Sequence, residues 1–180
     1  IPPQRQLVIT NRILVDAVRQ QLPSIPRDNV VGEPCKRDTA PCVGLAAAMV
    51  DRVDPEGTML VMPSDHVIHD ASAFQDAIAA GVKLIEEDPS RIVTFGIRPT
   101  YPAESFGYIH RDKPISAVGA SAFQVGRFRE KPDRKTAERY LSEGTYYWNS
   151  GIFLWRASTI LDALRKNVPA MHAHIATIAA

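Results

Sequence analysis

The residues best equipped for chemistry stand where apolar runs end. Leu60-Val61-Met62 stops at Pro63, and Ser64, Asp65 and His66 follow at once, where an α/β sheet presents its strand ends to ligands. A carboxylate on a backbone stiffened by proline suits a hard divalent cation. Mg²⁺ takes one or two protein carboxylates and completes its shell with water and phosphate oxygens. The competing role for Asp65 is the N-cap of a helix beginning at Val67. His66 fits an orienting hydrogen-bond partner better than a general base.

Four other stretches carry polar groups or glycine turns at similar places. Glu33-Pro34-Cys35-Lys36-Arg37-Asp38-Thr39-Ala40-Pro41 packs prolines and charges around a helix start, with Thr39 as N-cap and Pro41 in the first turn. Such a loop can hold a planar base against rigid backbone, while the helix N-terminus favours anions. Arg37 has two readings, stacking on a base or pairing with Asp38 at the surface. Phe128-Arg129-Glu130-Lys131-Pro132 sets acid beside base at a strand end. In extended backbone these neighbours point to opposite sides, so Glu130 would accept sugar hydroxyls while Lys131 neutralises a phosphate, unless the pair is only a solvated turn. Trp148-Asn149-Ser150-Gly151-Ile152-Phe153 and Phe106-Gly107-Tyr108-Ile109 each join a glycine turn to an apolar strand, as a ligand contact or an ordinary bulge would.

The elements that must position these groups follow from periodicity. Residues 6–10 form a strand, Asn11 caps a helix carrying Leu14, Val15, Val18 and Leu22, and residues 29–32 form a second strand. A small-residue helix with Val43, Ala46, Ala47 and Val50 leads to a strand over 58–62, apolar as central parallel strands are. Asp70 or Ser72 starts the next helix, which ends at Glu86-Glu87-Asp88-Pro89, and residues 91–97 make another buried strand. This alternation argues for a parallel α/β sheet. Pro99, Pro102, Pro114 and Gly119 then break the chain into hairpin-like strands at 106–111 and 122–129. A short helix over 134–141, a strand over 147–155 and two closing helices complete it.

Composition narrows the function classes. The 180 residues are 45% apolar, enough for a substantial core. Lys plus Arg, 21, nearly balance Asp plus Glu, 20, so no bulk field draws nucleic acid or anionic lipid, and an anionic ligand must be met locally. No apolar run approaches the roughly 20 residues that cross a bilayer, and the start lacks the pattern of a signal peptide, so a cytoplasmic location is expected. Cys35 and Cys42 match no usual zinc spacing, and small core thiols are the better reading even with His66 and His69 added.

Taken together, five stretches resemble, in order and spacing, the mannose-1-phosphate guanylyltransferases (GDP-mannose pyrophosphorylases) of the sugar-nucleotide pyrophosphorylase family. They are EPxxRDTAP at 33–41, PSDH at 63–66, IRPTYPxxxFGYI at 97–109, FREKP at 128–132 and WNSGIF at 148–153. Glu33 and Asn149 favour the mannose and GTP branch. The resemblance implies a Rossmann-like, GT-A-type α/β nucleotidyltransferase fold with a mostly parallel central sheet and a mixed β sugar-binding part. It implies one domain over 1–180, with 1–98 as nucleotide half and 99–180 as sugar-phosphate half. The reaction implied is that of GTP with α-D-mannose 1-phosphate, giving GDP-mannose and pyrophosphate with Mg²⁺. Asp65, the metal ligand, and Lys131 would be catalytic. Glu33, Pro34, Arg37, Asp38, Thr39, Ala40, Pro41 and Ser64 would bind nucleotide. Gly107, Tyr108, Glu130, Lys131, Asn149 and Gly151 would bind the sugar phosphate.

No nucleic-acid or membrane partner is expected, and the resemblance leaves room for a homodimer. The family's Gly-rich GxGxRLxPLSR loop with its lysine, and a second metal-binding aspartate, find no counterpart. The chain is therefore expected to be the middle of a longer enzyme, silent alone. The competing functions are a pyrophosphorylase for another sugar and nucleotide, and a non-catalytic sugar-nucleotide-binding regulator.

Overall fold

A computed structural model describes residues 1–33, 35, 37–115 and 122–179. The order is β1 (Val8–Asn11), α1 (Val15–Gln21), β2 (Val30–Glu33), α2 (Thr39–Val53), β3 (Thr58–Val61), α3 (Ala71–Glu87) and β4 (Val93–Ile97). Then come β5 (Tyr108–Ile115), β6 (Ala122–Arg129), α4 (Arg134–Glu143), β7 (Tyr146–Arg156), α5 (Ala157–Asn167) and α6 (Pro169–Ala179). They form two compact units, one of residues Ile1–Gly57 with Ile160–Ala180 and one of Thr58–Thr159. Gly119, assigned above to a break, lies outside the described residues.

In the first unit β1 and β2 pair in parallel, Val8 opposite Val30 and Asn11 opposite Glu33. The link between them is helical, as its apolar spacing requires. Asn11 accepts a hydrogen bond from the Ile13 N–H at 3.0 Å, a 3-10 turn over Arg12–Leu14 follows, and α1 ends ahead of Pro23. Gly32 lets this helical entry cross the strand, because a Cβ there would lie 2.7 Å from Val15 Cγ2 and 2.8 Å from Arg12 Cα. The small residues of α2 serve helices rather than a sheet. Gly44 is buried, and a Cβ on it would strike Ile175 of α6 and stand 2.8 Å from Leu164 Cδ1 of α5.

In the second unit β7 is the spine of a five-stranded sheet. Phe153 pairs with Val61 on one side and Thr94 on the other, and Trp148 pairs with Tyr108 and Ile97, so β3 and β5 share one edge while β4 takes the other. All three run antiparallel to β7, and β6 pairs antiparallel with β5 outside them. The expectation of a mostly parallel sheet is corrected here: the parallel ladder among the described residues is β1 with β2. The cause is that β7, a late segment, inserts between β3 and β4, which run the same way. β3 and β4 are also less enclosed than their apolar sequences suggested. Thr58 is exposed, and Ile92 beside β4 and Ile97 at its end are about half exposed, at 49% and 50%.

Two patches of core hold this sheet. α3, capped by Asp70 accepting from the Ala73 N–H at 2.9 Å, lies against the strands through Gly81, where a Cβ would come 3.3 Å from Phe95 Cζ. Ile85 and Leu154 are buried at this contact. The second patch joins Tyr108, Ala137, Tyr140 and Tyr146, with the rings of Tyr140 and Tyr146 stacked 3.8 Å apart. α4 completes it, started by Asp133 accepting from the Thr136 N–H at 2.7 Å and stopped by Gly144 at φ 65°. That hydrogen bond holds the Asp133 carboxyl below its ordinary value. No described helix is long and apolar enough to cross a membrane.

Candidate active site

Gly107, Glu130 and Asn149, expected from the sequence to contact sugar, meet in the second unit. Gly107 ends the turn before β5, Asn149 lies within β7, and the Asn149 N–H donates to the Gly107 carbonyl at 2.8 Å. Glu130, one residue beyond β6, comes over the same spot, since a Cβ on Gly107 would stand 2.9 Å from Glu130 Oε2 and 3.6 Å from Asn149 Cβ. The missing side chain of Gly107 is therefore what leaves room for the Glu130 carboxylate. Gly107 is itself buried and its carbonyl is taken by the Asn149 N–H, so it serves as the spacer, and the Glu130 carboxylate and the Asn149 amide are the groups suited to hydroxyls.

Asn149 is held from behind. Its Oδ1 accepts from the Thr94 hydroxyl at 3.1 Å and from the Gly151 N–H at 3.3 Å, while its Nδ2 meets no partner among the described residues. Gly151 has φ 71°, and a Cβ there would approach Pro63 Cγ to 3.3 Å. Hence the turn carrying Ser64 and Asp65 starts against β7 at Gly151, two residues from Asn149. Asp65 itself is exposed, with no hydrogen bond or ion pair among the described residues. The helix-cap role for Asp65 falls away, because the next helix starts at Ala71 under Asp70.

Lys131 departs from the extended geometry expected of it. β6 ends at Arg129, Lys131 takes φ 41°, and its Nζ swings to 3.7 Å from Glu130 Oε1. Adjacent side chains that would oppose each other in a strand are brought to the same side. A positive φ on a lysine costs about 1–3 kcal/mol, and an exposed ion pair recovers roughly 0–1 kcal/mol. The ion pair therefore does not by itself offset the backbone cost of this turn.

Tyr108 requires a correction. Proposed from sequence as a sugar contact, it is completely buried, with its hydroxyl donating to the Ala103 carbonyl at 2.9 Å. It braces Gly107 from beneath. Beside it, Trp148 receives Tyr101 and Phe106 edge-on at 5.0 and 5.1 Å, which fixes the loop that leads into Gly107.

The stretch expected from the sequence to bind nucleotide lies in the first unit. Glu33 is half-buried at the end of β2, while Arg37, Asp38, Thr39 and Ala40 are exposed and Pro41 is half-buried in the first turn of α2. Pro34 lies outside the described residues. Thr39 is not the N-cap: Asp38 precedes the helix without a capping bond, and its φ of 61° with ψ −166° turns the chain into α2. Arg37 approaches the Cys35 side chain and forms no ion pair with Asp38 among the described residues. Burial, and then the Glu33 carboxylate, push the Cys42 thiol up, so it stays protonated at neutral pH.

No motif marks Thr94 in the sequence. Its one signal is a hydroxyl inside an otherwise apolar strand. Arg111 was likewise unmarked; it stacks over Phe123 and Tyr147, donates to the Tyr147 hydroxyl oxygen at 3.2 Å, and borders with Arg98 a cleft of about 420 Å³.

Glu130 and Asn149 thus converge on Gly107 near the turn that carries Asp65, on an α/β frame. The chain belongs to the nucleotidyl transferase family, whose model matches residues 4–178. It is 44% identical over 168 residues to the xanthan biosynthesis protein XanB of Xanthomonas campestris pv. campestris, covering 92% of this chain and 34% of that protein. It is 41% identical over 166 residues to mannose-1-phosphate guanylyltransferase of Klebsiella pneumoniae, covering 91% of this chain and 35% of that one. The crystal structure of mannose-1-phosphate geranyltransferase from Thermus thermophilus superposes with a TM-score of 0.86 at 29% identity, covering 99% of this chain and 50% of that chain. The chain thus spans about a third of the length of these curated relatives.

Proposed function

We propose that the protein makes GDP-mannose and pyrophosphate from GTP and α-D-mannose 1-phosphate. The observation that carries this reading is the convergence of Gly107, Glu130 and Asn149, with Lys131 turned to the same side. Glu130 accepts mannose hydroxyl protons, Asn149 offers its free Nδ2, and Lys131 neutralises the sugar phosphate. One oxygen of that phosphate attacks the α-phosphorus of GTP in line; the bond from the α-phosphorus to the bridging oxygen breaks, and pyrophosphate leaves with the electron pair. No covalent enzyme intermediate is needed, so positioning and charge neutralisation carry the catalysis.

Asp65 is the residue that would hold Mg²⁺. An exposed, unpartnered carboxylate fits that ion, which draws its other oxygens from water and phosphates, and no cluster of three or more acidic, His or Cys ligands is present among the described residues. When bound, the cation offsets charge on the triphosphate. Glu33, Pro34, Arg37, Asp38, Thr39, Ala40, Pro41 and Ser64 serve the nucleotide in this reading, with 1–98 as nucleotide half and 99–180 as sugar half. A cytoplasmic location and a homodimer belong to the same reading.

A panel of nucleoside triphosphates against sugar 1-phosphates, run with the whole protein, tests it. GTP with mannose 1-phosphate is expected to exceed every other pair in kcat/KM by at least about tenfold, the scale of a few lost hydrogen bonds. Preference for UTP or TTP would overturn the GTP assignment. Binding without turnover for every pair would favour a regulatory homologue.

A further inference from the structure

The structure assigns Thr94 as the positioning residue that sets the amide of Asn149 for sugar recognition. The inference rests on the sugar-site reading above and adds a residue to it. An asparagine amide has two orientations of opposite hydrogen-bond character, and only one presents donors to a ligand. Here the Gly151 N–H, which can only donate, decides between them, and the Thr94 hydroxyl, able to donate or accept, then adds a bond to the oxygen it fixes. The Gly151 N–H, aimed by the left-handed φ of 71° at that residue, lies 3.3 Å from Asn149 Oδ1, and the Thr94 hydroxyl lies 3.1 Å from the same atom. Were the amide reversed, its NH₂ would confront the backbone N–H, donor against donor. With Oδ1 doubly engaged, Nδ2 keeps both hydrogens for a ligand oxygen, and it has no competing partner among the described residues.

The hydroxyl of Thr94 does what the backbone alone does less well. At 3.3 Å the Gly151 contact is long, and Thr94 supplies the shorter bond from the neighbouring strand, Thr94 lying opposite Phe153 in the β4–β7 ladder. The same hydroxyl also stands 3.3 Å from the Ile152 carbonyl, so its single proton is shared toward two acceptors, with the Asn149 oxygen nearer. Half-buried in a β-strand, a threonine can be replaced by valine with little change in shape or strand preference. That makes the hydroxyl separable from the packing.

The test is the steady-state kinetics of Thr94→Val, Thr94→Ser and Asn149→Ala in the whole protein, alone and with Thr94→Val combined with Asn149→Ala. Thr94→Val is expected to raise KM for mannose 1-phosphate roughly three- to tenfold, the size of one neutral hydrogen bond, with KM for GTP and kcat within about twofold. Thr94→Ser is expected to restore the wild-type value. In the double variant, loss of the hydroxyl is expected to add nothing to Asn149→Ala. A KM raised by Asn149→Ala but unmoved by Thr94→Val would overturn the assignment of Thr94 while sparing the sugar site. An unmoved KM in Asn149→Ala would instead defeat the sugar-site reading. A Thr94→Val protein that melts earlier with unchanged KM would show a purely structural hydroxyl and overturn the inference too.

Discussion

Asp65→Ala in the whole protein is expected to lower kcat for GDP-mannose formation about 10²–10³-fold, the loss typical when one electrostatic stabiliser is removed from a reacting centre. Its melting temperature should stay nearly constant, because an exposed side chain without partners contributes roughly 0.5 kcal/mol or less. The alternative cap role predicts the reverse pattern, lost stability with retained turnover. That role has no structural support: α3 is capped by Asp70, five residues further on. Turnover measured across a Mg²⁺ titration, with thermal melting alongside, separates the two. Wild-type kcat in the variant at saturating Mg²⁺ would remove Asp65 from the metal role.

Tyr108→Ala is expected to have the largest effect on stability, about 3–5 kcal/mol, as for other large aromatic truncations in cores. The ring is fully buried against Tyr140 at 5.4 Å, and its hydroxyl is the buried partner of the Ala103 carbonyl. Tyr108→Phe keeps the ring but strands that carbonyl, and about 1–3 kcal/mol should be lost. Against a total stability of about 5–15 kcal/mol the alanine variant loses a large share of its folded margin. Urea denaturation read by tyrosine and tryptophan fluorescence measures both. A loss below about 1 kcal/mol in Tyr108→Ala would show that the cluster under Gly107 is not a core.

What the sequence made legible was local. The end of β3 ahead of Pro63 and of β6 at Arg129, the capping roles of Asn11 and Asp70, the hairpin of β5 and β6, and the Gly107 turn all follow from neighbouring residues and short-range chemistry. The five motifs likewise announced the family and the residues that gather at Gly107. Less legible was whatever depends on distant partners. The insertion of β7 between β3 and β4 pairs segments far apart in the chain, Val61 with Phe153 among them. An apolar strand reads alike with parallel or antiparallel neighbours.

Backbone conformation was equally hidden. Asp38 and Lys131 take positive φ without being glycine, so alternation along an extended chain misplaced Lys131, and cap preference misplaced Thr39. Such strain tends to gather at functional sites, where sequence rules that assume relaxed local structure are least able to see it. Tyr108 shows the complementary error. A residue that belongs to a motif can serve the core instead; this one is completely buried.

The sharpest measurement is the kinetic split in Glu130→Gln. The substitution keeps shape and removes the charge proposed to accept sugar hydroxyls, and a hydrogen bond to a charged group contributes about 1.5–3 kcal/mol. KM for mannose 1-phosphate is predicted to rise roughly 10- to 100-fold, with KM for GTP within about twofold. A rise in KM for GTP with that for mannose 1-phosphate unchanged would contradict the placement of the sugar at Gly107, Glu130 and Asn149.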